Sequence, residues 1–170
     1  MRKTGVVMLG IIFGLSIFIA QAQAAEKFAY VDLSRLFSEY GKTKDYDKGL
    51  NDKQGLYEAE RDKKVKDVKD LQDKMNLLSE KEKSLKKVDL ETKVKSLQDF
   101  DRLKQTDLRK EQDEKMKEIL KDIEETIKKY SDKEGFTLVF NDRVLVYQDK
   151  SLDITDKVMD ILNKGYSKGK

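Results

Sequence analysis

Cysteine, histidine, proline and tryptophan are all missing from this 170-residue chain. Without cysteine no disulfide can restrain it, so burial must come from packing or from association between chains. Without histidine and cysteine the usual general base, the usual nucleophile–base pair and the common transition-metal ligands are gone, so neither an enzyme nor a metal site is expected. No G-x-x-x-x-G-K loop is present to cradle a phosphate, and neither ATP nor another cofactor is indicated. Acidic pairs four residues apart are plentiful. In a chain that is 41% charged they read as solvated helix faces rather than acid–base dyads.

Glycine is scarce where it matters most. From Leu56 to Glu134 there are 79 residues with no Gly or Pro, and 44 of them are charged, 22 of each sign. Pro would remove a backbone donor and Gly would cost about 1 kcal/mol relative to Ala, so their absence lets a helix run on. As one helix the stretch would span roughly 120 Å, and folded back it would make a hairpin about 60 Å long.

At the N-terminus, Arg2 and Lys3 precede an apolar run from Val6 to Ala20, then small residues at Ala22 and Ala24. This is the pattern of a secretory signal, with cleavage expected before Ala25. The run falls short of the ~20 residues a membrane-spanning helix needs, and no cysteine is available to carry acyl chains. Loss of Arg2 and Lys3 leaves 34 basic residues against 33 acidic ones. Such a balance gives no field to draw in nucleic acid, which needs clustered Lys and Arg in excess.

β-structure is legible at both ends of the mature chain. A strand is expected at Lys27 to Val31, followed by a brief helix capped by Asp32 or Ser34 and carrying Leu33, Leu36, Phe37 and Tyr40. Gly41, Gly49 and Gly55 are expected to loosen the entry to the rod. Gly135 should stop it, and FTLVFNDRVLVY at 136–147 reads as a hairpin turning on Asn141 and Asp142. A last amphipathic helix, capped by Asp153 or Thr155, has Ile154, Val158, Ile161 and Leu162 on one face. One strand plus one hairpin leaves open edges and an apolar face at Phe28, Tyr30, Phe136, Leu138, Phe140, Val144 and Val146, so self-association is expected there.

A rod that leaves one end of a compact body and returns to the other end is most simply a helical hairpin. Apolar positions mirror about Ser84 to Lys87, pairing Leu71 with Phe100, Val68 with Leu103 and Tyr57 with Met116, so a fold-back is expected there. Arg61, Lys64, Asp101 and Lys104 fall on the seam and predict loose packing in mid-arm. Pairs such as Glu60–Lys64, Asp70–Lys74 and Glu111–Lys115 should support the helices at ~0.2–0.5 kcal/mol each. Lys81, Lys83, Lys86 and Lys87 form a mildly basic tip suited to weak contact with an anionic membrane surface. They read more readily as a solvated helix end, because each net charge adds only ~1 kcal/mol near such a surface.

The segments KFAYVDLSRLF at 27–37 and FTLVFNDRVLVYQDKSLDIT at 136–155, with the charged rod between them, resemble the Skp/OmpH-like family of periplasmic chaperones. The resemblance implies a homotrimer whose strand-bearing ends form a small β body. From it three helical-hairpin arms project and hold unfolded outer-membrane β-barrel proteins without ATP. Family members often carry a clear positive excess that the mature chain lacks, which weakens an electrostatic grip on clients or on lipopolysaccharide.

The fold class expected is α+β. Residues 1–24 form the signal, 25–48 the N-terminal part of the body, 49–134 the arm, and 135–170 the C-terminal part of the body with its helix. The function expected is a periplasmic holdase. The alternative is a secreted coiled-coil scaffold of the cell envelope.

Overall fold

The structure, a computed structural model, describes residues 26–169. The expected signal segment therefore lies outside the described residues. Strand β1 (Phe28–Val31) leads into helix α1 (Leu33–Glu39), then α2 (Gly41–Asn76), α3 (Glu80–Glu134), β2 (Leu138–Asn141) and α4 (Thr155–Lys168). Two short 3-10 turns, Asp142–Val144 and Lys150–Leu152, separate β2 from α4. The α+β class and the long two-helix arm are as the sequence indicates.

β1 and β2 pair in parallel, with Phe28 opposite Leu138 and Val31 opposite Asn141. Parallel neighbours need a crossover connection. Here the crossover is the entire arm with α1. On the other side of β1, Tyr30 bridges to Asp153, and the Ile154 N–H donates to the Tyr30 carbonyl at 3.0 Å. The expected hairpin about Asn141–Asp142 does not form. A two-residue hairpin turn requires positive φ, whereas Asn141 is extended and the next three residues coil as a 3-10 turn.

The helix boundaries follow local chemistry. Asp32 caps α1, its carboxylate accepting from the Arg35 N–H at 2.8 Å, and the Asp32 N–H donates to the buried Thr155 hydroxyl at 2.9 Å. α2 begins at Gly41 and runs through Gly49 and Gly55 without a break, contrary to the loosened entry expected there. At Gly41 a side chain would crowd Asn163 and Tyr166, and the Gly41 N–H is capped by Asn163 Oδ1 at 2.8 Å. α3 ends at Gly135, whose φ of 74° is the left-handed conformation glycine adopts freely.

The fold-back lies at Leu77–Ser79, ahead of the expected 84–87. Ser79-Glu80-Lys81-Glu82 reads as a helix-start signal of the S-x-x-E kind, and the Glu82 carboxylate accepts from the Ser79 N–H at 3.1 Å. The mirrored pairs shift accordingly. Tyr57 stacks on Phe100 at 5.7 Å between ring centroids, not on Met116, and Leu103, expected opposite Val68, is 59% exposed.

The core sits in the body. Ala29 and Val31 of β1, Leu36 and Tyr40, Ile119, Ile123 and Tyr130 of α3, and Ile154, Val158, Met159 and Leu162 of α4 form one buried cluster. Ile161, expected on the inner face of α4, is instead 44% exposed, one position off the Ile154–Val158–Leu162 stripe. α3 thus serves twice: its first half is arm, and its last turns are core.

Candidate interaction surfaces

The body leaves several large apolar side chains uncovered, and Phe28, Leu138 and Phe140 share one side of its sheet. Phe28, Leu138, Phe140, Val144 and Val146 of the expected set are all exposed, and Tyr147 and Leu152 join them. Phe28 and Phe140 lie tilted, with centroids 6.4 Å apart. Between this pair and the 145–152 segment runs an open groove of about 230 Å³, lined also by Leu145, Tyr147 and Leu152.

The other two expected residues are placed differently. Tyr30 is only 4% exposed, because the 149–154 segment closes over its side of β1. Phe136 stacks on Tyr130 at 6.2 Å, with the Lys27 ammonium 4.3 Å above its ring, so it belongs to the packing of the chain itself. Simple alternation in β1 put Phe28 and Tyr30 on one free face. That reasoning misses the chain segment that returns to cover half of it.

At the junction of body and arm, Lys42 Nζ lies 2.7 Å from Asp122 and 2.6 Å from Glu118, and the Tyr40 hydroxyl donates to Asp122 at 3.1 Å. Burial, then the Asp122 charge, pushes the Tyr40 phenol up to about 12. Partial burial acts to lower the Lys42 ammonium, but hydrogen bonds to Asp122 and Glu118 outweigh it and the net shift is upward. Glu118 is held down to about 2, first by Lys115 at 2.7 Å and then by Lys42. These contacts tie α2 to α3 where the arm leaves the core.

In mid-arm the polar seam residues find one another. Arg61 Nε and the Tyr57 hydroxyl both donate to Asp101, at 3.1 and 3.2 Å, while Lys64 and Lys104 approach the Phe100 ring at 5.0 and 5.8 Å. Cross-arm partners displace the expected pairs within one helix: Lys64 turns to Phe100 and Glu111 to Lys53. Among the described residues the i,i+4 ion pairs of α2 and α3 are Lys66–Asp70, Lys110–Glu114, Lys121–Glu125 and Glu125–Lys129.

All four tip lysines fall in the first turns of α3. Lys83 pairs with Glu80 at 2.8 Å, and Glu82 is engaged by Ser79, whose hydroxyl and N–H lower its pKa. Both tip carboxylates are thus occupied. Leu77, Leu85 and Val88 stand exposed beside the lysines, Leu77 at 88%, and the charge pattern alone did not reveal that apolar component.

Fold and surfaces together define a small α+β body bearing a long antiparallel helical arm. The chain belongs to the OmpH-like family of outer membrane proteins, which it matches over residues 27–162. A crystal structure described as a candidate outer membrane chaperone (OmpH-like) from Caulobacter crescentus CB15 superposes with a TM-score of 0.75 at 13% identity. The overlap covers 84% of this chain and 86% of that one. At that identity the likeness speaks for the fold. No curated protein sequence matches this chain. Among the described residues no helix is long and apolar enough to cross a membrane.

Proposed function

We propose that this protein is an ATP-independent holdase chaperone of the periplasm, assembled as a homotrimer, that encloses unfolded outer-membrane β-barrel proteins between its arms. The observation that carries the reading is the division of labour within the chain. A compact body leaves an apolar sheet face uncovered, and a long arm has charged side chains, Arg61, Lys64 and Asp101, in its seam. The first feature suits permanent association. The second suits an arm that bends and makes many weak contacts rather than one tight one. Family membership and the fold of the Caulobacter structure support the same reading. Chemistry on the client is not part of the mechanism, and neither a cofactor nor a nucleotide is required.

In this mechanism the bodies hold the arms together, and the arms present short apolar stretches spaced by salt-bridged surface. A client chain too weakly held at any one point is retained by the number of contacts, because linked weak sites raise avidity through effective concentration. The arm tip, with exposed Leu77, Leu85 and Val88 among lysines, adds a weak contact to an anionic surface. The test is aggregation of a urea-unfolded porin diluted with and without the mature protein. Suppression near one trimer per porin is the expected result. Unchanged aggregation, together with retention of the protein in the envelope fraction, would instead favour a structural scaffold.

A further inference from the structure

α2 begins without a cap of its own. Tyr40, the residue before it, makes no capping hydrogen bond, and Glu39-Tyr40-Gly41 contains none of the Ser, Thr, Asn or Asp that cap a helix start locally. The acceptor comes instead from α4: Asn163 Oδ1 takes the Gly41 N–H at 2.8 Å, across 122 residues of sequence. One turn further along α4, Tyr166 straddles the same helix start. Its ring meets Tyr40 edge-on at 5.8 Å between centroids, and its hydroxyl donates to the Asp45 carboxylate at 2.8 Å. Glycine permits this close approach, since a Cβ at residue 41 would stand 3.2 Å from Asn163 Oδ1 and 3.3 Å from the Tyr166 ring.

The two ends of α4 therefore do different work. Ile154, Val158, Met159 and Leu162 are buried in the core, whereas Asn163 and Tyr166 reach out to α2. An open groove of about 420 Å³ lies between the last turns of α4 and Glu125 and Lys129 of α3. It is α2 that these turns hold. The arm helices differ in how much they need holding: α3 runs unbroken from the tip into the core, where Ile119, Ile123 and Tyr130 fix its direction, while α2 buries Thr43 alone. The root of α2 rests on the ion pairs of Lys42 with α3 and on the end of α4.

We infer that the last turns of α4, through Asn163 and Tyr166, are a latch that positions the root of α2 on the body and so sets how the arm leaves it. Asn163 and Tyr166 are positioning residues, and neither needs to touch a client. Both lie past residue 162, where the match to the family ends. With the latch closed two anchored helices carry the arm; with it open α3 alone carries it, and α2 is free to swing about the Lys42 contact. The bearing of the latch on client retention rests on the enclosure reading above. The latch itself does not.

Hydrogen exchange of the mature protein, resolved by segment, tests the latch. The variant Asn163→Ala/Tyr166→Phe should speed exchange over 41–48 about tenfold, while 119–130 and 154–162 keep their wild-type protection. Asn163→Asp with Tyr166 intact should exchange over 41–48 as the wild type does, because a carboxylate accepts the Gly41 N–H as the amide oxygen does. Unchanged exchange over 41–48 in the double variant would overturn the latch and leave the enclosure reading standing. Acceleration spread equally over 119–130 and 154–162 would overturn it too, since Asn163 and Tyr166 would then be ordinary members of the body core. Protection of a urea-unfolded porin is read separately. On the enclosure reading the double variant should protect less well than the wild type; faster exchange over 41–48 with full protection would support the latch and count against capture by the arms.

Discussion

Lys42, Asp122 and Glu118 show how a few side chains decide where a highly charged rod becomes anchored. Each is one among many similar residues in the sequence, and they matter because α2 and α3 meet here beside the core. Glu118 has a folded pKa of about 2 against an ordinary 4.5. A depressed carboxylate contributes stability that is present above the higher value and lost as pH falls through the lower one. Stability should therefore be flat above pH 5 in this respect and decline between about pH 4.5 and 2. Because the pair is partly exposed, the share is about 1 kcal/mol after screening. Glu118→Gln should remove that share at neutral pH and flatten the acid limb, as read by urea denaturation followed by circular dichroism. An unchanged acid limb would show that the contact carries no stability. The caps at Asp32 and Gly135 were legible in the sequence because their chemistry is local. The Lys42–Asp122 contact spans 80 residues, and nothing near either residue announces the other.

The arm teaches the same lesson at the scale of an element. Its existence followed from an absence of Gly and Pro, and its polar seam positions, Arg61, Lys64, Asp101 and Lys104, were read correctly from the apolar period. Its turn was not. Leu, Met and Val recur every three or four residues and match several mirror planes, so periodicity alone cannot choose among them, whereas Ser79 and Glu82 mark one helix start. Burial adds a second reason. The charged seam contacts fix the register through specific partners: Asp101 takes both Arg61 and Tyr57, which no count of apolar residues records. Asp101→Ala should leave Arg61 and the Tyr57 hydroxyl without their acceptor and cost about 1 kcal/mol in the arm. Arg61→Leu with Asp101→Leu should recover that loss or exceed it, because apolar seam residues replace an ion pair without stranding a charge. Hydrogen exchange across 57–104 would measure both. Faster exchange in the double variant than in Asp101→Ala would contradict the seam placement.

At the scale of the molecule, body and arm are separable in their demands. The exposure of Phe28, Leu138, Phe140, Val144 and Val146 was legible as apolar alternation, whereas the cover of Tyr30 by the 149–154 segment and the inward turn of Phe136 were not, since both depend on contacts made from far along the chain. Leu138 remains on the open face, so Leu138→Asp should bury an unpaired ion in a shared core at a cost of several kcal/mol and give a monomer by sedimentation. A variant that still assembles at low micromolar concentration would rule that face out. The arm is tested by shortening it in the observed register. Lys64 reaches the Phe100 ring across the seam. Excising 65–97 and joining the cut ends with a short Gly/Ser turn takes 12 residues from α2 and 18 from α3, or ~18–27 Å of arm. Assembly should survive, because the buried cluster lies entirely outside the excised span. On the proposed enclosure mechanism, holding capacity should fall most for large porins. Excising 68–103 instead follows the mirror plane at 84–87, joins helices out of register, and should lower the melting temperature of the remaining arm. Equal stability of the two excisions would refute the observed register. A 65–97 variant that protects large porins as well as the intact protein would place client capture on the body and end the enclosure mechanism.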